Sequence, residues 1–230
     1  MKILALETTE KFGSVALLDG NHVLAEIVLP KDRRSSQTLH PAMLSVLGTT
    51  QTAPNEISTV AVVAGPGSFT GLRVGVTAAK VFAYAIGAKV IALDTFHTIA
   101  SALPPRAGAI SVGVDAQRGE VVAAILRQTE DGHVELIREP ELIPVADWWK
   151  HAELYDNVLF TGPALERWYT KAPNITLAPE CNWFPKASQA GKLAAERIAS
   201  EQFDDAWTLL PVYSRLSAAE EKRQELGVAP

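Results

Sequence analysis

One glycine-rich stretch, residues 65–75, has the spacing best suited to binding a phosphate or another anion. It reads GPGSFTGLRVG, follows an apolar β-branched run and begins a long apolar segment. Such a loop at a helix start presents free backbone N–H groups, which favour an anion. The pattern G-x-G-x-x-x-G is close to a dinucleotide-binding fingerprint. One hypothesis is therefore a nucleotide- or dinucleotide-binding enzyme of the sugar-kinase type that uses the loop from Gly65 to Gly71.

Three features of the same loop favour a structural interpretation. Leu72 stands where a Walker-type phosphate loop needs lysine. Pro66 removes one backbone donor. Three predicted strands and a helix precede the loop, whereas a dinucleotide fingerprint normally opens its fold. The alternative is a tight turn that lets a helix pack closely on a strand. Gly67 would then lie where a Cβ is unwelcome, at positive φ or against neighbouring backbone.

Small residues recur every four positions after the loop: Gly71, Gly75, Ala79, Ala83 and Gly87. On a helix this spacing places them along one ridge. Glycine inside a helix costs about 1 kcal/mol relative to alanine, so the close approach of another element is the expected compensation. The ridge predicts either packing on the chain's own sheet or a groove that receives a helix of a partner protein.

The other residues capable of chemistry lack partners at catalytic spacing. No two of the five histidines lie three to five residues apart, so no helical metal-binding pair is predicted. Ser68 and Ser111 lack the G-x-S-x-G context of a nucleophilic serine. Glu7 and Asp115 each begin a turn, but neither turn has the adjacent glycine that a phosphate would need. We predict no catalytic residue, no metal site and no intact ATP site.

Composition excludes further classes of protein. The chain has 230 residues, 21 Lys+Arg and 26 Asp+Glu, and its net charge of −5 argues against a stand-alone nucleic-acid-binding protein. A single cysteine, Cys181, excludes an internal disulfide and cysteine-based zinc sites. The apolar run before Glu7 is too short for a signal peptide, and no charge-free stretch is long enough to span a bilayer. We expect a cytoplasmic protein without a membrane segment.

The elements that must position these residues recur in two halves. Asp115 follows a buried strand of the second half as Glu7 does in the first. Gly119 begins the next apolar run as Gly13 does. Each half reads β-β-β-α-β-α, which predicts an α/β fold of two lobes with mixed sheets flanked by helices. This is the duplicated, ribonuclease H-like architecture of the actin-like and sugar-kinase superfamily. The alternative is an unrelated α/β chain with similar hairpins.

A proline-rich linker at residues 104–108 predicts where the chain divides. The N-terminal lobe would comprise residues 1–103 and carry the partner-binding helices, and the C-terminal lobe would comprise residues 104–230. A last long helix over residues 187–202 could pack back on the first lobe. Residues 209–213 are predicted to form a final strand or an ordered tail.

Several of these segments together resemble one family. Residues 65–75 are similar to the signature of the TsaB (YeaZ) family of bacterial tRNA threonylcarbamoyladenosine biosynthesis proteins. The likeness spans both halves of the chain. Its other parts are the opening hairpin, the first helix, the second-half turn and a C-terminal motif, at residues 3–17, 36–47, 115–121 and 211–215. Glu7 departs from the family, which usually has aspartate there.

The resemblance implies a non-catalytic subunit, or scaffold. TsaB proteins are degenerate relatives of TsaD, which transfers threonylcarbamoyl from its adenylate to the adenosine next to the tRNA anticodon. TsaD carries a metal-binding histidine pair at places that correspond here to Thr95 and Ile99. The resemblance implies that this chain binds and stabilises TsaD together with the ATPase TsaE. An older family label, glycoprotease-like, implies a hydrolase, for which the sequence offers neither a nucleophile nor a metal site.

Further partners and cofactors follow from the same resemblance. The isolated chain would pair with itself as a homodimer, and tRNA would be contacted only through the complex. No cofactor is implied for the chain on its own, and ATP or ADP is left to the complex with TsaD and TsaE.

We predict that the helices over residues 36–47 and 70–86 form the main protein–protein interface, because of the small-residue ridge and the apolar side chains beside it. A larger side chain at Gly71 should then weaken partner binding more than folding. Arg73 should cap carbonyls or pair with a carboxylate of the partner. The predicted interface residues are Ser36, Leu39, Met43, Leu47, Gly67, Phe69, Gly71, Leu72, Arg73, Gly75, Ala79 and Ala83.

Overall fold

The first of two five-stranded sheets is formed by the N-terminal part of the chain, in a computed structural model that describes residues 1–129 and 132–215. Its strands are β1 (Lys2–Glu7), β2 (Ser14–Asp19), β3 (His22–Val28), β4 (Ile57–Gly65) and β5 (Lys89–Asp94). Their order is β3-β2-β1-β4-β5, with β1, β4 and β5 parallel and the two hairpins antiparallel. Strands β1 and β4 are covered on both faces, which explains their continuous apolar sequences.

The second sheet repeats this topology. Its strands are β6 (Ala109–Asp115), β7 (Glu120–Gln128), β8 (Val134–Pro144), β9 (Leu159–Thr161) and β10 (Thr176–Leu177). Their order is β10-β9-β6-β7-β8, which is the order of the first sheet for the equivalent strands. The predicted α/β architecture of two lobes with mixed sheets is confirmed.

Helices cover both faces of the first sheet. On one face lie α1 (Ser35–Thr49) and α2 (Phe69–Ile86), whose apolar sides join β1 and β4 in one core cluster. Helix α2 is the one helix in the described ranges that is long and apolar enough to cross a membrane. Its most apolar side is buried against the sheet, as in a core helix.

The remaining helices are α3 (Thr95–Ala100), α4 (Val145–Trp149), α5 (His151–Leu154), α6 (Leu165–Trp168) and α7 (Ala187–Ala199). Two of these helices, α3 and α7, each pack on the lobe other than the one whose strands they follow in the chain. Helix α3 follows the first sheet in the chain but buries Phe96 and Ile99 in the core of the second lobe. Helix α7 follows the second sheet but packs on the other face of the first.

Helix α7 and the segment after it refine two predictions. Ala187, Ala190 and Ala194 are buried against the first sheet, and Gly191 lies so close to Leu18 that a Cβ would collide with it. The helix ends at Ala199, three residues before the predicted end, and Ser200 follows as its C-cap. Residues 209–213 are an ordered tail and not a strand.

Candidate functional site

The glycine-rich loop between β4 and α2 receives the chain's own β1–β2 turn. Ser68 N–H donates to the carbonyl of Thr9 at 2.7 Å, and Thr8 Oγ1 donates to the carbonyl of Gly71 at 2.8 Å. A Cβ on Gly67 would lie 2.6 Å from the Thr9 carbonyl oxygen, which confirms the predicted close approach. Residues 8 and 9 therefore fill the space beside the loop backbone at this corner of the sheet.

The ridge of small residues continues the same packing. A Cβ on Gly71 would collide with the carbonyl oxygen of Thr8, and one on Gly75 with its hydroxyl. Ala79 and Ala83 are buried in the core beneath α2. The four ridge residues from Gly71 to Ala83 therefore pack inside the protomer, which is the first of the two predicted alternatives, and Gly87 at the end of α2 is exposed.

Most of the predicted interface residues face inward. Eight of the twelve are buried in the protomer, because the apolar sides of α1 and α2 pack on the first sheet. These are Leu39, Met43, Leu47, Gly71, Leu72, Gly75, Ala79 and Ala83. Gly67 and Phe69 are half-buried, and Ser36 and Arg73 are exposed. The apolar side chains that α1 and α2 present to solvent are different ones: Leu44, Val81 and Tyr84.

Arg73 contacts the chain's own tail. Its Nε donates to the Tyr213 hydroxyl at 2.9 Å, and its guanidinium lies 3.9 Å from the centre of the Phe69 ring. The rings of Phe69 and Tyr213 pack with their centres 4.7 Å apart. These contacts hold the tail against the first turn of α2, in place of the predicted partner carboxylate.

Carboxylates of both lobes meet beside the β1–β2 turn. Glu7 is fully buried, and its Oε1 accepts hydrogen bonds from Thr9 N–H at 2.5 Å and Thr9 Oγ1 at 2.6 Å. Its Oε2 has no hydrogen-bond partner among the described residues. Burial raises the pKa of Glu7 to about 8, despite the hydrogen bonds from Thr9. Glu7 therefore carries a proton at neutral pH.

Glu10 extends this acidic region toward the second lobe. Burial raises the pKa of Glu10, and the neighbouring acidic groups Glu7, Asp115 and Glu166 raise it further. Two cations lie at the edge: Lys11 Nζ is 3.4 Å from the Glu166 carboxylate, and Arg167 Nη1 is 3.5 Å from that of Asp115. No three Asp, Glu, His or Cys residues in the described ranges are placed to hold a metal ion.

Sequence reasoning missed a buried polar network in the second lobe. Trp148 Nε1–H donates to Ser111 Oγ at 2.8 Å, and Ser111 Oγ lies 3.0 Å from His151 Nδ1. Burial lowers the pKa of His151, which favours the neutral ring. Although the pair has the spacing of a serine and its base, Ser111 is fully buried and out of reach of a substrate. Ser111 lacks a G-x-S-x-G context, and no sequence spacing predicts its contact with His151, because the two residues lie on separate elements, β6 and α5.

We expect Ser111→Ala to lower the free energy of unfolding by roughly 2 kcal/mol, because it leaves the Trp148 donor and the His151 ring without their buried partner. Urea unfolding measures the loss. Ser58→Ala is the control, since Ser58 is exposed and bonds only the carbonyl of Lys2. Equal stabilities of the two variants would contradict a role for the network.

The chain is similar to known proteins over most of its length. A family model described as TsaD, tRNA N6-adenosine threonylcarbamoyltransferase, matches residues 22–206. The tRNA threonylcarbamoyladenosine biosynthesis protein TsaB of Bacillus subtilis is 32% identical over 230 aligned residues, which cover 96% of this chain and 97% of the relative. The chain belongs to the TsaB (YeaZ) family. The TsaB protein of Escherichia coli is 33% identical over 150 residues, 62% of this chain and 64% of its own.

Solved structures of the family have the same fold. YeaZ from Pseudomonas aeruginosa superposes with a TM-score of 0.76 at 25% identity, over 92% of this chain and 99% of its own. A crystal structure described as an uncharacterised protein with similarity to the peptidase YeaZ from Pseudomonas aeruginosa has a TM-score of 0.79 at 25% identity. It covers 93% of this chain and 99% of its own.

The two positions where the sequence resemblance placed the histidine pair of TsaD carry packing residues in this TsaB-family chain. Thr95 is buried, and its hydroxyl donates to the carbonyl of Pro66 at 2.6 Å. Ile99 is fully buried in the core of the second lobe. Both residues therefore join the loop and α3 to the core.

Proposed function

We propose that this chain is a non-catalytic subunit in the formation of threonylcarbamoyladenosine next to the tRNA anticodon, and that it binds and stabilises TsaD together with TsaE. One observation carries the non-catalytic role. The corner of the first sheet where a phosphate would be held is filled by Thr8, Thr9 and the tail. The similarity of this chain to proteins named for threonylcarbamoyladenosine biosynthesis supports its role in that pathway.

The proposed partner surface is the outer side of α1 and α2. Leu44 on α1 is 57% exposed, and Val81 and Tyr84 on α2 are 61% and 72% exposed. Large exposed apolar side chains on neighbouring helices are typical of protein–protein contacts. The same surface would pair two copies of the isolated chain around a two-fold axis. Ser36 and Arg73 remain in the proposal as exposed residues of these two helices.

The other parts of the proposal concern cofactors and location. The chain holds no cofactor of its own, ATP or ADP enters with TsaD and TsaE, and tRNA is contacted through the complex. The complex works in the cytoplasm. Calorimetric titration of the isolated chain with ATP and with NAD should give no binding in the micromolar range, and such binding would favour the nucleotide-dependent alternative.

We expect Leu44→Asp and Tyr84→Asp to weaken binding of TsaD from the same organism by at least about tenfold, because each places a charge in the proposed apolar contact. Affinity is measured by calorimetry and melting temperature by scanning fluorimetry. Leu154→Asp is the matched control, since Leu154 is 60% exposed on α5 of the other lobe. Unchanged affinity in both α1 and α2 variants would place the interface elsewhere.

A further inference from the structure

The segment of residues 204–215, here called the strap, runs along the outside of the first lobe. It begins at the edge strand β5, where Asp204 N–H donates to the carbonyl of Val90 at 2.9 Å and the Asp204 carboxylate accepts from Ala92 N–H at 2.7 Å. It then crosses α2, where Lys80 Nζ donates to the carbonyls of Trp207 and Leu209 at 3.3 and 2.9 Å.

The strap next reaches the glycine-rich loop. Val212 N–H donates to the carbonyl of Ala64 at 2.7 Å, at the end of β4. Gly65 follows with φ of +128°, and a Cβ there would collide with the carbonyl of Val212. Tyr213 lies against Phe69 and Arg73. Three residues of the loop and the first turn of α2 therefore serve to seat the strap.

From the loop the strap passes to the second lobe. Arg215 Nη1 donates to the carbonyl of Ala116 at 3.0 Å, and its Nη2 pairs with the carboxylate of Glu120. Ala116 lies in the β6–β7 turn and Glu120 begins β7, and this turn is the second-lobe equivalent of the turn at Glu7. A side chain of the strap thus ties the second lobe to a segment that is anchored at four places on the first.

The β1–β2 turn makes a further tie between the lobes, in addition to the strap and to the packing of α3 and α7. Lys11 pairs with Glu166, and the ring of Phe12 packs on that of Phe184 at 4.7 Å between centres. This turn packs on the same loop through Thr9. The turn and the strap both contribute an ion pair, but that of Lys11 is exposed, whereas Arg215 makes a charged hydrogen bond to a half-buried carboxylate.

We propose that the strap holds the two lobes in the closed arrangement through Arg215, and that its release lets the lobes open. Since the ring of Tyr84 on the outer side of α2 packs on that of Trp207 in the strap, with centres 5.4 Å apart, a protein bound to this side would act on lobe closure, and closure on binding of that protein, by the same free energy. This last consequence rests on the proposed function, whereas the closing role of the strap does not.

Pulsed electron paramagnetic resonance on the full chain tests the closing role. Cysteines at the exposed positions Asn21 and Glu139, one in each lobe, carry spin labels in a Cys181→Ser background, and unlabelled protein dilutes the sample so that only distances within one chain are seen. Arg215→Ala is expected to add a population at longer distance. Arg127→Ala is the matched control, because Arg127 makes an exposed pair with Glu135 inside the second lobe.

Hydrogen exchange of the Val212 amide gives a second readout. Its rate should rise about tenfold or more in Arg215→Ala and stay unchanged in Arg127→Ala, because local opening exposes the bond to Ala64. An unchanged distance distribution in both Arg215→Ala and the double variant Tyr213→Ala/Arg215→Ala would overturn the proposal. If the lobes open while TsaD affinity stays at the wild-type value, the closing role stands and its link to partner binding fails.

Discussion

Replacing Gly71 with alanine is expected to lower the free energy of unfolding by roughly 3 to 5 kcal/mol. The added Cβ would occupy the position of the Thr8 carbonyl oxygen, which is backbone and cannot rotate away. Either α2 or the β1–β2 turn must shift, and the hydrogen bond from Thr8 Oγ1 to the Gly71 carbonyl would be lost. Urea unfolding at neutral pH measures the change.

Gly48→Ala is the matched control for this substitution. Gly48 also lies in a helix, but it is exposed and no atom lies within 4 Å of a Cβ built there. Alanine there should raise the free energy of unfolding by up to about 1 kcal/mol. Because Gly71 contacts its own chain, folding and not partner binding is the first property that should fail, the reverse of the sequence-based expectation. A stable Gly71→Ala variant with weakened TsaD binding would restore that expectation.

Replacing Glu7 with glutamine is expected to stabilise the protein increasingly as pH rises from about 4.5 to about 8. Glu7 is protonated in the folded state up to pH near 8, whereas its unfolded form ionises near 4.5. Between these values the folded state binds the extra proton, so wild-type stability falls by about 1.4 kcal/mol per pH unit from this group. Glutamine does not titrate and escapes the loss. The difference between the two proteins should approach roughly 4 kcal/mol at pH 8.

Unfolding in urea at several pH values between 4.5 and 8.5 measures this difference. Below about pH 4.5 the two proteins should differ little, since glutamate is neutral in both states. Glu139→Gln, which alters an exposed carboxylate on β8, is the control and should shift stability little at any of these pH values. A pH-independent difference between wild type and Glu7→Gln would mean that Glu7 is ionised in the folded protein.

Local sequence determined the kinds of elements and their order. The apolar runs of β1 and β4 and the glycine at the end of α2 are local signals, because strand burial and helix ends depend on neighbouring residues. The repeated turn after Glu7 and Asp115 predicted two equivalent halves, and the two sheets have equivalent strand orders. The similarity of residues 65–75 to the TsaB signature gave the family, which the relatives confirm.

Only the tertiary structure decided what those residues touch. A row of small residues on α2 predicts that another element packs closely on the helix, but both the chain's own sheet and a helix of a partner fit that pattern. Gly71 and Gly75 face Thr8, which lies more than sixty residues away in the chain. Arg73 meets Tyr213 at a separation of 140 residues. Contacts between residues so far apart in the chain depend on how the first sheet and the strap pack together, and the spacing of neighbouring residues does not predict them.

The packing of α3 and α7 on opposite lobes and the protonation of Glu7 also depend on the tertiary structure. Residues 95–100 and 187–199 each form a helix, and which sheet each helix covers depends on the path of the chain between the lobes. The identity of Glu7 predicts a carboxylate. Its pKa depends on the complete removal of water, which occurs only when β1, β2 and the loop after β4 have assembled around it.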